Sequence, residues 1–154
     1  MPSDLWSFSL DTYARPGVED ACLRLQGAGA NVCLLLCAAW LGARGVACSQ
    51  QRLQALSQVA LPWSRDVVEP LRQLRTLWKP AAATDPQLAT LRTQVKALEL
   101  AAERQLLERL ESSAQDWPVA QAIDLTAWLE GLATDAANLD RDALQQLRVA
   151  LTSA

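Results

Sequence analysis

The segment from Val32 to Leu41 constrains the fold most, because it contains no charged or strongly polar residue on any face. A helix that is apolar all round must be enclosed by other elements or by lipid. The apolar stretch reaches Ala43 and so covers about 12 residues, whereas a membrane span needs about 20. The segment therefore predicts a fully apolar central helix, over about residues 31–42, that is surrounded by the rest of the same chain.

The remainder of the chain is also patterned as helix. Period-two alternation is nearly absent, and the strong helix formers Ala, Leu, Gln, Glu and Arg dominate. We predict an all-α fold, a single-domain bundle of seven to eight short helices over residues 1–154. A chain of 154 residues is long enough to bury a core of its own.

Capping residues and prolines set the expected helix boundaries. Asp4, Asn31 and Ser49 are expected N-caps, and Pro70 is expected to kink or split the helix in which it lies. The apolar spacing within each segment is helical. The predicted helices cover residues 5–13, 18–26, 32–42, 50–59, 63–78, 86–112, 119–132 and 141–152.

A proline-rich stretch divides the chain into two halves. Residues 1–79 are the expected core half, and residues 80–85 are a predicted loop. The C-terminal helices of residues 86–154 could pack more loosely on the first half. On the longest of them, Glu99 and Glu103 are like-charged neighbours, which we interpret as part of a solvated face.

The composition excludes several classes of chemistry. The chain has no histidine, which removes the commonest general acid–base group and every Ser-His or Cys-His arrangement. The net charge of −3 gives no general attraction to nucleic acid or to anionic lipid. No nucleotide or cofactor motif is present, so we predict no cofactor, no membrane span and no nucleic-acid partner.

The cysteines are expected to be free thiols in the core. The N-terminus lacks the basic and apolar regions of a secretory signal, which predicts a cytoplasmic location, where thiols stay reduced. Cys33 and Cys37 lie one helical turn apart, and with Cys22 and Cys48 they give the ligand count of a structural zinc site. However, no Cys-x₂-Cys knuckle is present, and buried free cysteine is common. We therefore predict no metal site.

Two stretches carry a family resemblance. Residues 5–26, LWSFSLDTYARPGVEDACLRLQ, are followed by an apolar helix that ends in Trp-Leu, and residues 63–79 fit W-x-x-x-V-V-x-P-L-R-x-x-R-x-x-x-K. Together they resemble a proteobacterial family of small helical proteins of unknown function. The family pattern has Asp-Val-Asn where this chain has Asn31-Val32-Cys33, so a site built on those groups would be altered here. The resemblance implies a helical fold and brings no activity with it.

Polar residues gather around the turn at residues 16–17. Two carboxylates, a phenol and a guanidinium could form a polar pocket there. Alternatively, one of the carboxylates could pair with the arginine and tie two helices together. The cluster consists of Asp11, Tyr13, Arg15, Glu19 and Asp20.

A basic stripe follows one face of the predicted helix 63–78 and its end. Its members are spaced by 7, 3 and 4 residues, namely Arg65, Arg72, Arg75 and Lys79. The stripe could hold an anionic ligand or partner or an RNA backbone, or it could be a solvated face with local salt bridges. Trp63 and Trp117 both flank prolines at predicted helix boundaries, and Trp63 is a candidate contact residue.

Three functions are weighed. The leading hypothesis is a non-catalytic protein-interaction or accessory module with a protein partner. The first alternative is a protein that binds an apolar or anionic small molecule beside the central helix, which a cavity larger than about 300 Å³ with convergent polar groups would favour. The second is an enzyme that uses carboxylates and a tyrosine, namely Asp11, Tyr13 and Glu19. No residue is assigned as catalytic.

Overall fold

The computed structural model describes residues 4–152, and every element of secondary structure longer than a single bridge in that range is a helix. A π-helical segment, Ser64–Val68, joins α4 to α5, so these three elements form one continuous rod. Counted this way, residues 4–152 form eight helices, which confirms the all-α bundle. The elements are α1 (Leu5–Tyr13), α2 (Val18–Gly27), α3 (Val32–Ala43), α4 (Gln50–Trp63), α5 (Glu69–Ala82), α6 (Pro86–Ala114), α7 (Leu125–Ala133), α8 (Ala136–Leu139) and α9 (Arg141–Thr152).

The central helix is enclosed as predicted. Every residue of α3 from Cys33 to Leu41 is buried. Helices α1, α2, α4, α6 and α7 all pack against it. Its N-terminus is capped by Asn31, whose side-chain oxygen accepts a hydrogen bond from the Leu34 N–H at 3.1 Å. No helix within residues 4–152 combines the length and the apolar character that a membrane crossing requires.

The predicted break between residues 59 and 63 does not occur. Pro62 lies inside α4, and the rod continues to Ala82. In the π segment the Glu69 N–H donates to the Ser64 carbonyl, five residues back. The wider turn accommodates Pro70, whose ring would crowd the carbonyl of Asp66, four residues back, in a regular α-helix. The predicted loop at residues 80–85 is also shorter than expected, because α5 runs through Pro80 to Ala82.

Helices α5 and α6 form an antiparallel hairpin. The turn ends at Asp85, whose carboxylate accepts from the N–H groups of Gln87 and Leu88 and so begins α6. No residue of α5 is fully buried, and the first half of α6 buries only Val95 and Glu99. The hairpin therefore lies at the edge of the bundle, where α5 can present polar side chains to α6.

Hydrogen bonds connect the C-terminal segment to the loop that follows α3. Residues 119–124 are not helical, in contrast to the prediction, because Val119 forms an antiparallel bridge with Val46. The indole N–H of Trp128 donates to the Val46 carbonyl at 2.8 Å. Gly42 lets α7 approach α3, since a Cβ there would lie 3.0 Å from the Leu125 Cα. Buried side chains of α7 and α9 belong to the same apolar cluster as α3.

Candidate functional site

A cleft separates α1, α2 and the start of α3 from the π segment, α5 and α6. It has two lobes of about 280 and 400 Å³. We call the smaller one the Tyr13 lobe and the larger one the Ser64 lobe, after residues that line only one of them. The two lobes share the wall residues Gln26, Val32, Cys33, Arg72 and Glu103, so they are parts of a single cleft, the α1–α6 cleft.

An ion-pair network forms one wall of the cleft. Glu99 is only 6% exposed, and its carboxylate accepts from Arg75 Nε at 2.5 Å and from Arg72 Nε at 3.4 Å. Arg72 also donates through Nη1 to Glu69 at 2.5 Å. With its amide oxygen turned toward Arg72, Gln26 of α2 accepts from both terminal guanidinium nitrogens at 3.1 Å. The network therefore joins α2, α5 and α6 around Arg72.

The π segment is tied to the central helix through a second polar contact. Asn31 Nδ2 donates to Ser64 Oγ at 2.5 Å, while the Asn31 amide oxygen caps α3. Ser64 is buried and belongs to the π segment. A π turn within an α-helix is rare and often lies at a functional site. Here it faces the Ser64 lobe, so both the turn and its contact to α3 help to shape the cleft.

Three polar groups of the Tyr13 lobe have no hydrogen-bond partner within residues 4–152. The Ser9 hydroxyl is unpaired although Ser9 is only 4% exposed. The Glu103 carboxylate has neither a hydrogen bond nor an ion pair, and burial, together with the Glu99 charge, raises its pKa. Burial also raises the pKa of Tyr13 to about 12, so its hydroxyl stays protonated at neutral pH.

The mouth of the Tyr13 lobe is apolar. Leu10, Leu23 and Leu100 all line it, and each is more than half exposed. Trp6 lies beside them, with the guanidinium of Arg104 4.9 Å above its ring. Polar groups inside and leucines at the rim make this lobe amphipathic.

The structure brings together some of the predicted site residues. Tyr13, Arg72 and Arg75 meet in the Tyr13 lobe. Arg65 lines the Ser64 lobe, but its guanidinium pairs with the neighbouring Asp66 at 2.8 Å. Lys79 is exposed and lines neither lobe. Arg65 and Arg72 both line the Ser64 lobe, whereas Arg75 lines only the Tyr13 lobe.

The predicted cluster around residues 16–17 does not assemble into a pocket. Asp11 and Glu19 are exposed and line neither lobe, although the Glu19 charge contributes to the raised pKa of Tyr13. Arg15 donates to the Leu151 carbonyl at 3.4 Å and, within residues 4–152, forms no ion pair with either carboxylate. The alternative prediction, that Arg15 pairs with Asp11 or Glu19 and ties two helices together, is therefore wrong.

Trp63 belongs to a different surface. It lines a wide, open groove of about 970 Å³ between the α4 rod and α6. Its indole N–H donates to the Ala102 carbonyl at 2.9 Å, and Arg109 lies 3.9 Å from its ring centroid. This groove is larger than the α1–α6 cleft, but its aromatic residue already has polar partners on α6. Of the buried side-chain groups that lack a hydrogen-bond partner in the described range, the Ser9 hydroxyl lines the cleft, whereas Thr12 Oγ1 and Trp40 Nε1 line neither lobe. The cleft is the better candidate site because Ser9 meets further unpaired polar groups there.

The sequence did not point to Ser9, Gln26, Ser64, Glu69, Glu99 or Glu103. The interpretation of Glu99 as part of a solvated face is wrong, because Glu99 is buried between two arginines. Like charges four residues apart are unfavourable on an exposed helix. The Glu99–Glu103 pair was therefore the available signal that this face of α6 meets cations.

The cysteines do not form a site in the described part of the chain. Cys22, Cys33 and Cys37 are buried in the core, and Cys48 is half-buried. Burial raises the pKa of all four thiols. No three side chains of the metal-ligating types His, Cys, Asp and Glu come together within residues 4–152.

The part of the chain that builds the cleft matches a known sequence family. The model of a family described as a protein of unknown function, DUF2390, matches residues 4–110. The chain belongs to the DUF2390 family. Every residue that lines the α1–α6 cleft falls within the DUF2390 match, whereas α7 to α9 follow it. No curated protein and no solved structure matches the chain.

Proposed function

We propose that this DUF2390 protein is a non-catalytic binding protein that takes a small amphipathic molecule in the α1–α6 cleft. The observation that carries the proposal is the convergence of three polar groups in the Tyr13 lobe: the buried, unpaired Ser9 hydroxyl, and the partly buried Tyr13 hydroxyl and Glu103 carboxylate, which have no hydrogen-bond partner within residues 4–152. Buried polar groups in proteins nearly always have a hydrogen-bond partner. A ligand that fills the lobe would supply the missing partners.

The shape of the cleft supports the same proposal. Its two lobes together fall within the range of roughly 300–1,000 Å³ that is typical of small-molecule sites. Most of the Tyr13 lobe is apolar, with a few polar groups that converge inside it. This combination favours the hypothesis of a protein that binds a small molecule beside the central helix over the hypothesis of an enzyme.

The cleft groups are better suited to binding than to catalysis. Arg72 and Arg75 are occupied by Glu69 and Glu99. A pKa of about 12 makes the Tyr13 hydroxyl a hydrogen-bond donor at neutral pH and a poor base. The carboxylates that the enzyme hypothesis requires, Asp11 and Glu19, lie outside the cleft.

An NMR titration tests the proposal. The ¹⁵N-labelled protein is titrated with phenethylamine, phenylacetate, 2-phenylethanol and hexylamine. We expect at least one of them to shift the amide resonances of Ser9, Tyr13 and Gln26 saturably. Val32→Phe, which fills both lobes, should weaken this binding at least tenfold, whereas Val59→Phe in the open groove should not change it. Saturable shifts confined to other parts of the bundle would contradict the proposal.

A protein partner and a cytoplasmic location stay predictions from the sequence. The α5–α6 hairpin is where a partner would be sought, since Leu74, Leu77, Leu91 and Leu98 are exposed on it. Native mass spectrometry of the protein from its own cells would detect a stoichiometric complex. The double variant Leu77→Ser, Leu91→Ser should abolish that complex while the cleft still binds its ligand.

A further inference from the structure

The charges that line the α1–α6 cleft do not balance. Two guanidiniums, Arg72 and Arg75, face three carboxylates, Glu69, Glu99 and Glu103. Arg65 does not change the balance, because it is paired with Asp66. Arg104 above Trp6 is likewise paired with Glu108, at 3.3 Å. The cleft therefore carries one uncompensated negative charge.

That charge lies on one identified group. Both oxygens of Glu99 accept from arginine, and Glu69 accepts from Arg72. The Glu103 carboxylate lies one helical turn beyond Glu99 and has no such partner within residues 4–152. An anion that entered the lobe would meet guanidiniums already paired with carboxylates, whereas a cation would meet the Glu103 carboxylate, which has no hydrogen bond or ion pair within residues 4–152.

The Ser9 hydroxyl independently points to a ligand in the same lobe. Ser9 belongs to α1, on the opposite wall from Glu103, and its hydroxyl is buried without a partner. A hydroxyl can accept a hydrogen bond from a ligand N–H, as a carboxylate can. Each of the two walls thus offers one acceptor to a ligand in the lobe.

We propose that the ligand carries a protonated nitrogen, an ammonium or amidinium group, which binds the Glu103 carboxylate inside the Tyr13 lobe. Its apolar body covers the rim formed by Leu10, Leu23 and Leu100. This inference rests on the proposed function and adds to it the charge class of the ligand. It differs from the sequence-based expectation of an apolar or anionic ligand.

Three probes of nearly equal shape and different charge test the inference. We expect phenethylamine to bind the cleft at least tenfold more tightly than 2-phenylethanol, with phenylacetate weaker still. Glu103→Gln should remove the advantage of the amine and leave the affinity for the alcohol unchanged. Glu130→Gln on α7, which removes a carboxylate from an exposed ion pair with Arg141 outside the cleft, is the matched control and should change neither. Circular dichroism checks that both variants fold.

The outcomes separate the two proposals. If phenylacetate or 2-phenylethanol binds the cleft as tightly as the amine, the proposed function stands and the cationic ligand is overturned. An amine preference that survives Glu103→Gln also overturns the assignment. If none of the probes perturbs the cleft resonances, both proposals fail together.

Discussion

Glu99 and Glu103 lie one helical turn apart on α6, and within residues 4–152 only Glu99 has arginine partners. Two neighbouring carboxylates of one helix therefore differ in whether a cation stabilises their charge. The first is held by two guanidiniums, and the second is partly buried and repelled by the first. Neutralising one should weaken the fold, and neutralising the other should strengthen it.

Glu103→Gln is expected to raise the free energy of unfolding at neutral pH. The pKa of Glu103 is raised in the folded protein, so the folded chain holds this proton more tightly than the unfolded chain. Wild-type stability should therefore fall as the pH rises from the ordinary glutamate pKa through the folded pKa, and the variant should lack this fall. Urea unfolding at a series of pH values measures both curves. Parallel curves would show that Glu103 is not strained by its surroundings.

Glu99→Gln is expected to lower the free energy of unfolding by about 2 kcal/mol, because it leaves two partly buried guanidiniums with weaker partners. Chemical denaturation at pH 7 measures the change. The control is Glu108→Gln, which breaks an exposed pair with Arg104 and should cost less than about 0.5 kcal/mol. Equal effects of the two substitutions would contradict the network.

Leu35→Asp should prevent stable folding. Leu35 is 1% exposed in the middle of α3, and an unpaired charge there costs several kcal/mol, a large share of a typical stability of about 5–15 kcal/mol. Leu77→Asp is the matched control, because Leu77 is 72% exposed. Thermal melts followed by circular dichroism should show a cooperative transition for the control alone. A cooperative Leu35→Asp transition would mean that α3 is not at the centre.

Gly42→Ala should destabilise the bundle by about 1–3 kcal/mol, the usual cost of overpacking. Its new Cβ would lie 2.8 Å from Leu125 Cδ1 and 3.0 Å from the Leu125 Cα, so α3 and α7 would have to separate. Gly27→Ala, at the end of α2, meets no atom within 4 Å and should be neutral or stabilising. The denaturant midpoint of each variant, compared with that of the wild type, measures these changes in stability.

Thiol labelling should distinguish Cys48 from the other cysteines. Cys48 is half-buried, whereas burial raises the pKa of Cys22 to about 12 and also raises the pKa of the buried Cys33 and Cys37. With an aromatic disulfide reagent, Cys48 should react first in the native protein, and the others only on unfolding. A Cys48→Ser variant should lose the fast phase. Native-state labelling of Cys33 or Cys37 at the same rate would mean that α3 opens readily.

The parts of the fold that depend on local pattern were predictable from the sequence. An all-round apolar segment bounded by Asn31 identifies a central helix without knowledge of its neighbours, and Asp4 and Ser49 cap their helices as expected. The continuous rod from Gln50 to Ala82 was not predictable in this way. Proline normally ends a helix, and the π turn that accommodates Pro70 forms where the rod packs against α6.

The candidate site was predictable only in fragments. Tyr13 was assigned to one polar cluster, and Arg72 and Arg75 to another. They meet because α1 and α5 both pack against α6, a relation that spacing along the chain does not encode. The partners Glu99 and Glu103 have the sequence pattern of an ordinary surface face. Only the fold shows that one is neutralised and the other is not.

The π turn at Ser64–Val68 has a consequence for how relatives of this chain can vary in length. Such a turn holds one residue more than a regular helix needs, and the helices on either side keep their packing. A homologue with a single deletion at this position could close the turn with ordinary hydrogen bonds and still present its arginines to α6. Closing the turn would bring the ring of a proline at position 70 against the carbonyl four residues before it, so we expect that gap and the loss of that proline to be inherited together.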